Sequence, residues 1–530
     1  MPTTATAPTK NVQKKAGLAF WMQRVLAECD KVSADFAPNP VHDLRVALRR
    51  CHSMADGLMA IDPDKSWKQM KRSGKPLFQS LGKLREVQVM REWMERLSVP
   101  DDPAARSLQA FITSREGELK NDALSALRNF DRRRWASWCR SLPRRAARLR
   151  LGSAVFKHMA LERWTEAREL QRQALRNRSQ TAFHQLRIGL KRLRYTVENF
   201  LPQLHEAWSD ELKEVQDLLG ELNDLDLLWA TACEIKAFPD EGSRIRWRAR
   251  ISQERTERVE KYRQKMLGNH SLWNIWRSDL PQGKQIQSAA LSRLKIWASF
   301  LDPDFQHSQH VADLALQLYD ALAGETLIAD EFQAKGHTVN WRAVLLSAAL
   351  MHDVGRSRQE KGHHKISARL IRRLAPPLGW SEQDLQLAAH VARYHCGALP
   401  HSRHKAFPIL PVEQQPKAVQ LAAILRLANA FDVARDSHIS RLQTQTKNGM
   451  LYIYAQGYSP FGRVAENVAA ARHLLELTLR RPIIVRRLVN SRSSVQKANP
   501  GRIAAAKDTA PPDYFHGRFE SEGLTRKPKN

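Results

Sequence analysis

Apolar residues recur at helical spacing along most of the chain, almost without interruption from about residue 16 to about 275. Only 23 glycines and 25 prolines punctuate the 530 residues. Helix breaks are predicted at three proline-containing stretches, residues 37–40, 98–100 and 238–240. The first half of the chain is therefore predicted to consist of long antiparallel helices joined by short loops.

A second helical region is predicted from about residue 285 to 438. It is followed by LYIYAQ from Leu451, a helical pattern from Ala465 and PIIVRRLV from Pro482, which together predict a small strand-helix-strand appendix. The predicted fold class is mainly α, with two pseudo-repeated helical bundles followed by a second helical domain. The predicted division of the chain is a flexible arm at 1–15, helical domains at 16–275 and 285–490, and a disordered basic tail at 491–530.

The charge of the chain indicates an anionic partner. Lys and Arg number 85 against 55 Asp and Glu, a formal net charge of +30. Residues 1–300 hold 54 of these basic and 35 of these acidic side chains. Such an excess of positive charge suits nucleic acid, an acidic membrane surface or a polyphosphate, and composition does not choose among them.

Other features of the composition exclude several classes of protein. The longest apolar run, AVLLSAALM from Ala343, is too short to span a bilayer, and the N-terminus lacks the pattern of a signal peptide. The five cysteines contain no CxxC pair, which argues against a disulfide framework and a zinc ribbon. We therefore expect a cytoplasmic protein that does not insert into membranes.

The most informative feature is an internal repeat of basic helices. HDLRVALRRCH at residues 42–52 reappears as HQLRIGLKRLR at residues 184–194, with an offset of 142 residues. In each copy the basic positions fall on one stripe of a helix. Like charges three or four residues apart destabilise a helix, so a repeated arrangement of this kind favours a binding function over a solvated face. The two stripes consist of His42, Arg45, Arg49 and His52, and of His184, Arg187, Lys191 and Arg194.

A second pair of similar segments follows the stripes, LGKLREVQVM from Leu81 and LGELNDLDLL from Leu219. Two helical bundles that face each other would bring the cationic stripes together. A row of cations suits a linear polyanion, because phosphate contacts gain affinity from counterion release and need no base recognition. Inorganic polyphosphate and single-stranded nucleic acid both fit. The nearby aromatic residues, such as Tyr195 and Phe200, occupy predicted core positions rather than stacking platforms, which favours polyphosphate.

The paired H-x-x-R helices and LGELNDLDLL resemble the conserved histidine α-helical domain, CHAD, over about residues 16–275. The resemblance implies two four-helix bundles around a basic channel that binds inorganic polyphosphate. The first repeat departs from the family, because REVQV at 85–89 stands where a sequence like RDLDV is common. The residues that the resemblance implies for polyphosphate binding are His42, Arg45, Arg49, Arg50, His184, Arg187, Lys191, Arg192 and Arg194.

Histidines are concentrated in the second helical region, where 11 of the 19 lie between His307 and His438. His352 and Asp353 follow an apolar helix, and such a pair can bind a cation that activates water against a phosphoester or phosphoanhydride. HSQHVADLALQLYDAL, HHKISARLI, VARYHCGALP and AILRLANAFD resemble the HD domain superfamily. The closer resemblance is to the C-terminal helical domain of the Ppx/GppA exopolyphosphatase family, over about residues 285–490.

The HD resemblance implies a divalent metal held by His307, His352 and Asp353, with an Asp of the last helix as a further ligand. Asn429 stands at the position matched to that Asp, and Asp432 follows three residues later. A neutral amide binds such a cation more weakly than a carboxylate does. The region also offers basic side chains that suit an extended polyanion surface: His363, His364, Arg393, His395 and Lys405.

The predicted function is inorganic polyphosphate binding. The first alternative is a metal-dependent HD phosphohydrolase acting on polyphosphate or a nucleotide phosphate, and the second is nucleic-acid binding. In the Ppx/GppA family an actin-like α/β domain with Gly-rich phosphate loops carries the hydrolytic machinery, whereas here a helical repeat precedes residue 285. We expect a bacterial protein located at polyphosphate granules, and a homo-oligomer is left open.

Overall fold

The computed structural model confirms that the fold is mainly α. Seventeen α-helices and five short strands occur in the part of the chain that it describes. None of the helices described is long and apolar enough to cross a membrane. The predicted arm at 1–15 and the predicted tail at 491–530 lie outside the described residues. The described residues are 17–34, 36–177, 179–328, 331–334, 337–401, 403–404 and 410–488.

Ten of these helices make up what we call the repeat half, residues 17–280. The longest two, α3 and α8, have 33 residues each and are therefore about 50 Å long. Aspartates cap the N-termini of several helices, where the carboxylate accepts a hydrogen bond from a backbone N–H. Asp64 caps α3 in this way, and Asp240 caps α9. The helices are α1 (Leu18–Ala34), α2 (Pro38–Met59), α3 (Lys65–Leu97), α4 (Pro103–Arg128), α5 (Arg132–Ala146), α6 (Ala154–Asn177), α7 (Gln180–Phe200), α8 (Pro202–Glu234), α9 (Glu241–Met266) and α10 (Leu272–Ser278).

The three predicted helix breaks coincide with breaks in the structure. α2 begins at Pro38, where proline is tolerated because the first N–H groups of a helix lack partners. The second break separates α3 from α4, and the third separates α8 from α9. The proline signals therefore predicted the helix boundaries correctly.

The two copies of the repeat occupy equivalent helices, α2 followed by α3, and α7 followed by α8. α2 packs against α7, and α3 against α8. The repeated leucines, Leu44 and Leu48 in α2 with their counterparts in α7, are all buried in one hydrophobic core. The contact between α2 and α7 is close near Gly57, where a Cβ would lie 2.4 Å from Cε2 of Phe200. The apolar side of the repeat therefore holds the basic helices together.

The remaining elements form what we call the histidine-rich half, residues 284–488. Seven α-helices surround a second hydrophobic core, and short 3-10 helices cover Val354–Ser357 and Val412–Gln414. The helices are α11 (Lys284–Leu301), α12 (Phe305–Gly324), α13 (Trp341–Met351), α14 (His363–Ile371), α15 (Glu382–Arg393), α16 (Gln415–Phe431) and α17 (Arg463–Leu479).

Strands are more numerous than the pattern predicts. The predicted strand-helix-strand appendix is present, with β4 (Met450–Ala455) and β5 (Ile483–Arg487) paired in parallel and α17 between them in sequence. A further strand, β3 (Leu442–Lys447), pairs with β4 in antiparallel fashion and is largely exposed, so it lacks an apolar signal. An antiparallel hairpin, β1 (Glu331–Ala334) and β2 (His337–Asn340), was also not predicted.

Polar contacts join the repeat half to the histidine-rich half. Both oxygens of the Glu162 carboxylate lie 2.7 Å from Nη1 of Arg293. Glu162 also accepts the backbone N–H of Leu378 at 3.1 Å, and Nε2 of His158 donates to the Leu378 carbonyl at 2.9 Å. Burial lowers the pKa of His158, so its imidazole is neutral in this contact. These bonds join α6 to α11 and to the segment that contains Leu378.

Candidate functional site

Four cationic side chains from the two repeats come together where α2 meets α7. We call Arg45, Arg49, Arg187 and Lys191 the cationic cluster. Arg187, Arg45 and Arg49 all act electrostatically on Lys191, and Arg45 and Arg49 act on each other. The guanidinium of Arg49 lies over the ring of Tyr195, 5.7 Å from its centroid. The equivalent stripes of the two repeats therefore face one another, as the sequence predicts.

The cationic cluster lacks ion-pair partners among the described residues, although Glu86 acts electrostatically on Arg45 and Asp224 acts on Lys191. No carboxylate of the described residues lies within ion-pair distance of any of its four members. The Nε atoms of Arg45, Arg49 and Arg187 are buried without a hydrogen-bond partner. Unpaired cationic groups are costly in such surroundings, and proteins retain them mainly where a ligand supplies the counter-charge.

Burial and mutual repulsion both lower pKa values within the cluster. Burial, reinforced by Arg187, Arg45 and Arg49, lowers the pKa of Lys191 to about 7. Burial together with Arg49 also lowers the pKa of Arg45. Lys191 is consequently close to half-protonated at neutral pH, and an approaching anion would favour its charged form.

An open cavity of about 590 Å³ lies beside the cluster and is lined by both repeats. Arg45, His184 and Arg187 reach it from α2 and α7. Its acidic residues include Glu86 and Asp224, which occupy equivalent positions in the two copies of the repeat. Burial raises the pKa of Asp224, although Arg187 and Lys191 oppose this.

Two of the predicted binding residues are already neutralised. Arg50 forms an ion pair with Glu198 and lies 3.4 Å from Oδ1 of Asn199. Arg192 donates to Glu166 at 2.6 Å and is exposed. The structure thus does not bring Arg50 and Arg192 into the cationic cluster, although they directly follow Arg49 and Lys191 in sequence.

The other predicted residues lie outside the cationic cluster. Nδ1 of His184 lies 2.8 Å from Oδ1 of Asn223, on the rim of the cavity. Arg194 acts electrostatically on Asp217 of α8. His42, at the start of the first stripe, is exposed. None of the three belongs to the cationic cluster.

The assignment of His52 to the cationic stripe is wrong. Its side chain is buried beside α3, where a Cβ on Gly74 would lie 2.8 Å from Nε2 of His52. The ring also makes an edge-to-face contact with Phe78. Burial and the nearby Lys71 lower the pKa of His52 to about 4, so the imidazole is neutral at pH 7. His52 belongs to the core of the first repeat.

A second candidate site lies in the histidine-rich half. His307, His352 and Asp353 are buried, and their potential ligand atoms lie within 4.8 Å of one another. Nδ1 of His352 donates to the Ala349 carbonyl at 2.6 Å, which fixes the ring and turns Nε2 inward. That Nε2 is buried without a hydrogen-bond partner, and Oδ1 of Asp353 lies 3.1 Å from Nε2 of His363. Donor atoms of these types fit a divalent metal.

Asn429 and Asp432 approach opposite sides of the His307 ring. Nδ1 of His307 donates to Oδ2 of Asp432 at 2.7 Å, whereas Nε2 lies 3.1 Å from Oδ1 of Asn429. Asp432 therefore orients His307 from behind, in the manner of a carboxylate that supports a metal-binding histidine. Asn429 is the residue near the ring nitrogen that would face a metal.

Asp353 is the centre of the second site. Its Oδ2 forms an ion pair with Arg356, whose Nε lies 2.7 Å away, and accepts a hydrogen bond from Nη2 of Arg435 at 2.5 Å. Burial would raise the pKa of Asp353, but His352, His363 and the nearby cations hold it well below its usual value. Asp353 is thus ionised, with Oδ2 committed to arginines and Oδ1 facing imidazoles. Sequence reasoning missed both arginines; Arg356 follows Asp353 by three residues, whereas Arg435 carries no local signal.

The predicted extended anion surface is only partly accessible. His363 and His395 are 8% and 2% exposed, and their Nε2 atoms face Asp353. Burial and the neighbouring Arg393 lower the pKa of His364 to about 4. A neutral or buried imidazole contributes little to polyanion binding. Lys405 lies outside the described residues.

Two family models match the chain. One is the CHAD domain, over residues 17–232. The other is described as Ppx/GppA phosphatase, domain III, and matches residues 286–453. Together they confirm the predicted combination of a CHAD region with a region similar to the C-terminal part of the Ppx/GppA family. A search of curated proteins finds no match.

Proposed function

We propose that this chain, which combines a CHAD region with a Ppx/GppA domain III region, binds inorganic polyphosphate through the cationic cluster. One observation carries the proposal: two cationic residues from each repeat converge, and no described carboxylate pairs with them. CHAD domains are linked to polyphosphate binding, which supports the same conclusion.

The chemistry of polyphosphate fits this arrangement. Each internal phosphate of the polymer carries a negative charge, so neighbouring phosphates can meet Arg45, Arg49 and Arg187 in succession. Guanidinium groups bind phosphate oxygens in a bidentate fashion, and such charge-assisted hydrogen bonds are stronger than neutral ones. The buried, unpaired Nε atoms of these arginines would then gain acceptors. Binding would also offset the burial and the repulsion from Arg187, Arg45 and Arg49 that lower the pKa of Lys191.

The surroundings of the cluster support nucleic-acid binding less well than polyphosphate binding. Binding of single strands usually depends on exposed aromatic rings on which bases stack. The aromatic ring at the cluster, that of Tyr195, lies against the Arg49 guanidinium. Phe200 is buried and stacks on Phe156, with 4.4 Å between ring centroids. Neither residue provides a free stacking surface.

Binding of long-chain polyphosphate near physiological salt tests the proposal, because at low salt a protein this basic binds any polyanion. Replacing all four members of the cluster by Ala should lower the affinity at least a hundredfold, and single-stranded DNA or RNA at equal phosphate concentration should not displace polyphosphate from the wild type. A control variant with the same change of charge replaces four exposed basic residues elsewhere: Lys68, Arg72, Arg106 and Arg140.

The control variant should keep most of the affinity. Equal losses of polyphosphate affinity in the two variants would show that net charge alone drives binding, and would overturn the proposal. Efficient displacement by nucleic acid would instead favour nucleic-acid binding. Circular dichroism of each variant checks that the helices remain folded.

The buried His352 and Asp353 favour a second candidate function, a metal-dependent phosphohydrolase. His307, His352 and Asp353 would hold the cation, which would act as a Lewis acid and supply an activated water. This candidate predicts metal-stimulated release of phosphate from polyphosphate or a nucleotide, abolished by His352→Ala. The exposed His473 provides the matched control, His473→Ala. Phosphate release that persists in His352→Ala would show that His307, His352 and Asp353 do not form the catalytic metal site.

A further inference from the structure

The three-stranded sheet of the histidine-rich half has a buried face and an accessible face. Successive side chains of a strand point to opposite faces of a sheet. β4 buries Leu451, Ile453 and Ala455 in the core of this half. Tyr452 and Tyr454, which alternate with them, therefore point to the other face. The register of the strands places six residues there that are all at least partly exposed, and we call them the tyrosine face: Gln443, Gln445, Lys447, Tyr452, Tyr454 and Arg486.

The two tyrosine rings are the centre of this face. Their planes are nearly parallel, inclined by 18°, and their centroids lie 6.3 Å apart. The guanidinium of Arg486 lies over the Tyr452 ring, 5.2 Å from its centroid. The hydroxyl of Tyr454 lies 3.5 Å from Oε1 of Gln445, a contact that does not use the amide nitrogen of that glutamine. Aromatic rings, a guanidinium and an amide group thus share one surface.

The charge of the sheet is entirely positive. β3, β4 and β5 together contain Lys447, Arg486 and Arg487 but no Asp or Glu. The carboxylate of Glu325, which follows α12, accepts hydrogen bonds from Thr444 and Thr446. These threonines alternate with the glutamines of β3, so Glu325 binds the opposite side of the sheet. The cations of the tyrosine face consequently have no carboxylate from their own strands beside them.

This combination of groups suits single-stranded nucleic acid. Bases that are not paired in a duplex stack on aromatic side chains, and several RNA-binding domains present such rings on the open face of a sheet. Amide groups can bind the exposed base edges, and cations can bind the phosphates. We propose that the tyrosine face binds single-stranded nucleic acid, with bases stacked on Tyr452 and Tyr454 and with Lys447 and Arg486 beside the phosphates.

The tyrosine face and the cationic cluster differ in the ligand that each one fits. At the cluster, four cations converge and the ring of Tyr195 lies against a guanidinium, which suits a polyanion without bases. On the tyrosine face the cations are fewer and two rings are accessible, so the bases must supply much of the affinity. Polyphosphate, which has no bases, should bind the tyrosine face poorly. The proposal does not depend on polyphosphate binding by the cluster.

Titration of the full chain with a fluorescent single-stranded oligouridine of about 12 nucleotides, at physiological salt, tests the proposal. Fluorescence anisotropy gives the affinity. The double variant Tyr452→Leu with Tyr454→Leu should bind at least about tenfold more weakly, because it loses both stacking surfaces. The matched control, Tyr452→Phe with Tyr454→Phe, keeps the rings and should bind like the wild type. An oligonucleotide backbone without bases should bind the wild type as weakly as it binds the leucine variant.

Cross-linking locates the bound strand without any substitution. An oligonucleotide that contains thiouridine, irradiated on the wild-type protein, should attach to the peptide that contains Tyr452 and Tyr454. Cross-links confined to the repeat half would overturn the proposal. So would a wild type that does not bind the oligonucleotide, or a folded leucine variant that binds it like the wild type.

The variant with all four members of the cationic cluster replaced by Ala should keep most of its affinity for the oligonucleotide. Loss of that affinity in the cluster variant, with none in the leucine variant, would place nucleic acid at the cluster and overturn the assignment. Polyphosphate affinity of the leucine variant should equal that of the wild type. This comparison separates a failure at the tyrosine face from a failure of the polyphosphate proposal.

Discussion

Arg50 of α2 forms an ion pair with Glu198 of α7, across the contact between the two repeats. Its neighbour Arg49 lies over Tyr195 and has no carboxylate partner among the described residues. Consecutive residues of a helix point about 100° apart, so the two arginines face different surroundings. Arg50 joins the repeats, whereas Arg49 leaves its charge available to a ligand.

Arg49→Ala and Arg50→Ala should therefore have different effects. Arg49→Ala should lower polyphosphate affinity about tenfold with little change in stability, because it removes one charge-assisted contact. Arg50→Ala should lower the free energy of unfolding by about 2 kcal/mol, because it leaves the Glu198 carboxylate, only 9% exposed, without its cation. Polyphosphate titration and urea unfolding of both variants measure the two effects.

The double variant Arg50→Ala with Glu198→Gln is the control for the ion pair. It should recover part of the lost stability, since a neutral amide costs less to leave unpaired than a carboxylate. If Arg50→Ala weakened polyphosphate binding as much as Arg49→Ala and left stability unchanged, the division of roles between the two arginines would be wrong.

Polyphosphate binding should depend on pH through Lys191. The pKa of Lys191 is about 7 in the free protein, so the side chain loses its proton as the pH rises above 7. Bound phosphates favour the charged form, so binding takes up a proton there and affinity falls with rising pH. Between pH 6 and pH 8 the decrease attributable to this residue should be up to about tenfold.

Lys191→Arg separates this effect from other titrating groups, because arginine stays charged throughout the range. The variant should bind with a flatter pH profile. Calorimetry in two buffers of different ionisation enthalpy should detect proton uptake at pH 8 in the wild type and less in the variant. Identical pH profiles would show that Lys191 does not titrate in the site.

Gly57 should be required for the close contact of the repeats. A Cβ at this position would lie 2.4 Å from Cε2 of Phe200, a buried ring stacked on Phe156. Gly57→Ala should lower the free energy of unfolding by about 1–3 kcal/mol through overpacking. Gly82→Ala, within α3 and with no atom within 4 Å of its added Cβ, should instead stabilise by up to about 1 kcal/mol. Thermal unfolding that ranked these variants in the opposite order would contradict the α2–α7 packing.

His52 should make the protein less stable in acid. Its pKa is about 4 in the folded protein, below the ordinary value of 6.5. As the pH falls through 6.5 the unfolded chain binds a proton that the folded protein does not bind, so stability decreases until the pH reaches about 4. Between pH 7 and pH 4.5 this residue should account for about 2–3 kcal/mol of lost stability.

His52→Leu removes that titration while keeping an apolar side chain of similar size. The difference in free energy of unfolding between pH 7 and pH 4.5 should become smaller in the variant, measured by urea unfolding at each pH. Other buried histidines with lowered pKa values, such as His158, are present in both proteins and cancel in the comparison. An unchanged difference would show that His52 is protonated in the folded state.

Sequence alone determined the helical fold and the existence of two equivalent basic helices. Apolar periodicity and the three proline signals reflect local chain geometry, so they predicted the helix boundaries. The offset of 142 residues likewise identified Arg45 with Arg187 and Arg49 with Lys191. The sequence does not predict strand β3, because its largely exposed residues at the edge of the sheet are polar and give no apolar alternation.

Only the tertiary structure decided which charges are free and which are paired. Arg50 is neutralised by Glu198, 148 residues away, and His52 is buried beside Gly74, although both belong to the same basic motif as Arg49. Asp353 likewise faces His363 of α14 and His395, which follows α15, and no sequence pattern pairs these three residues. Charge pairing and metal geometry depend on distances of a few ångströms between helices, and a one-dimensional pattern does not contain those distances.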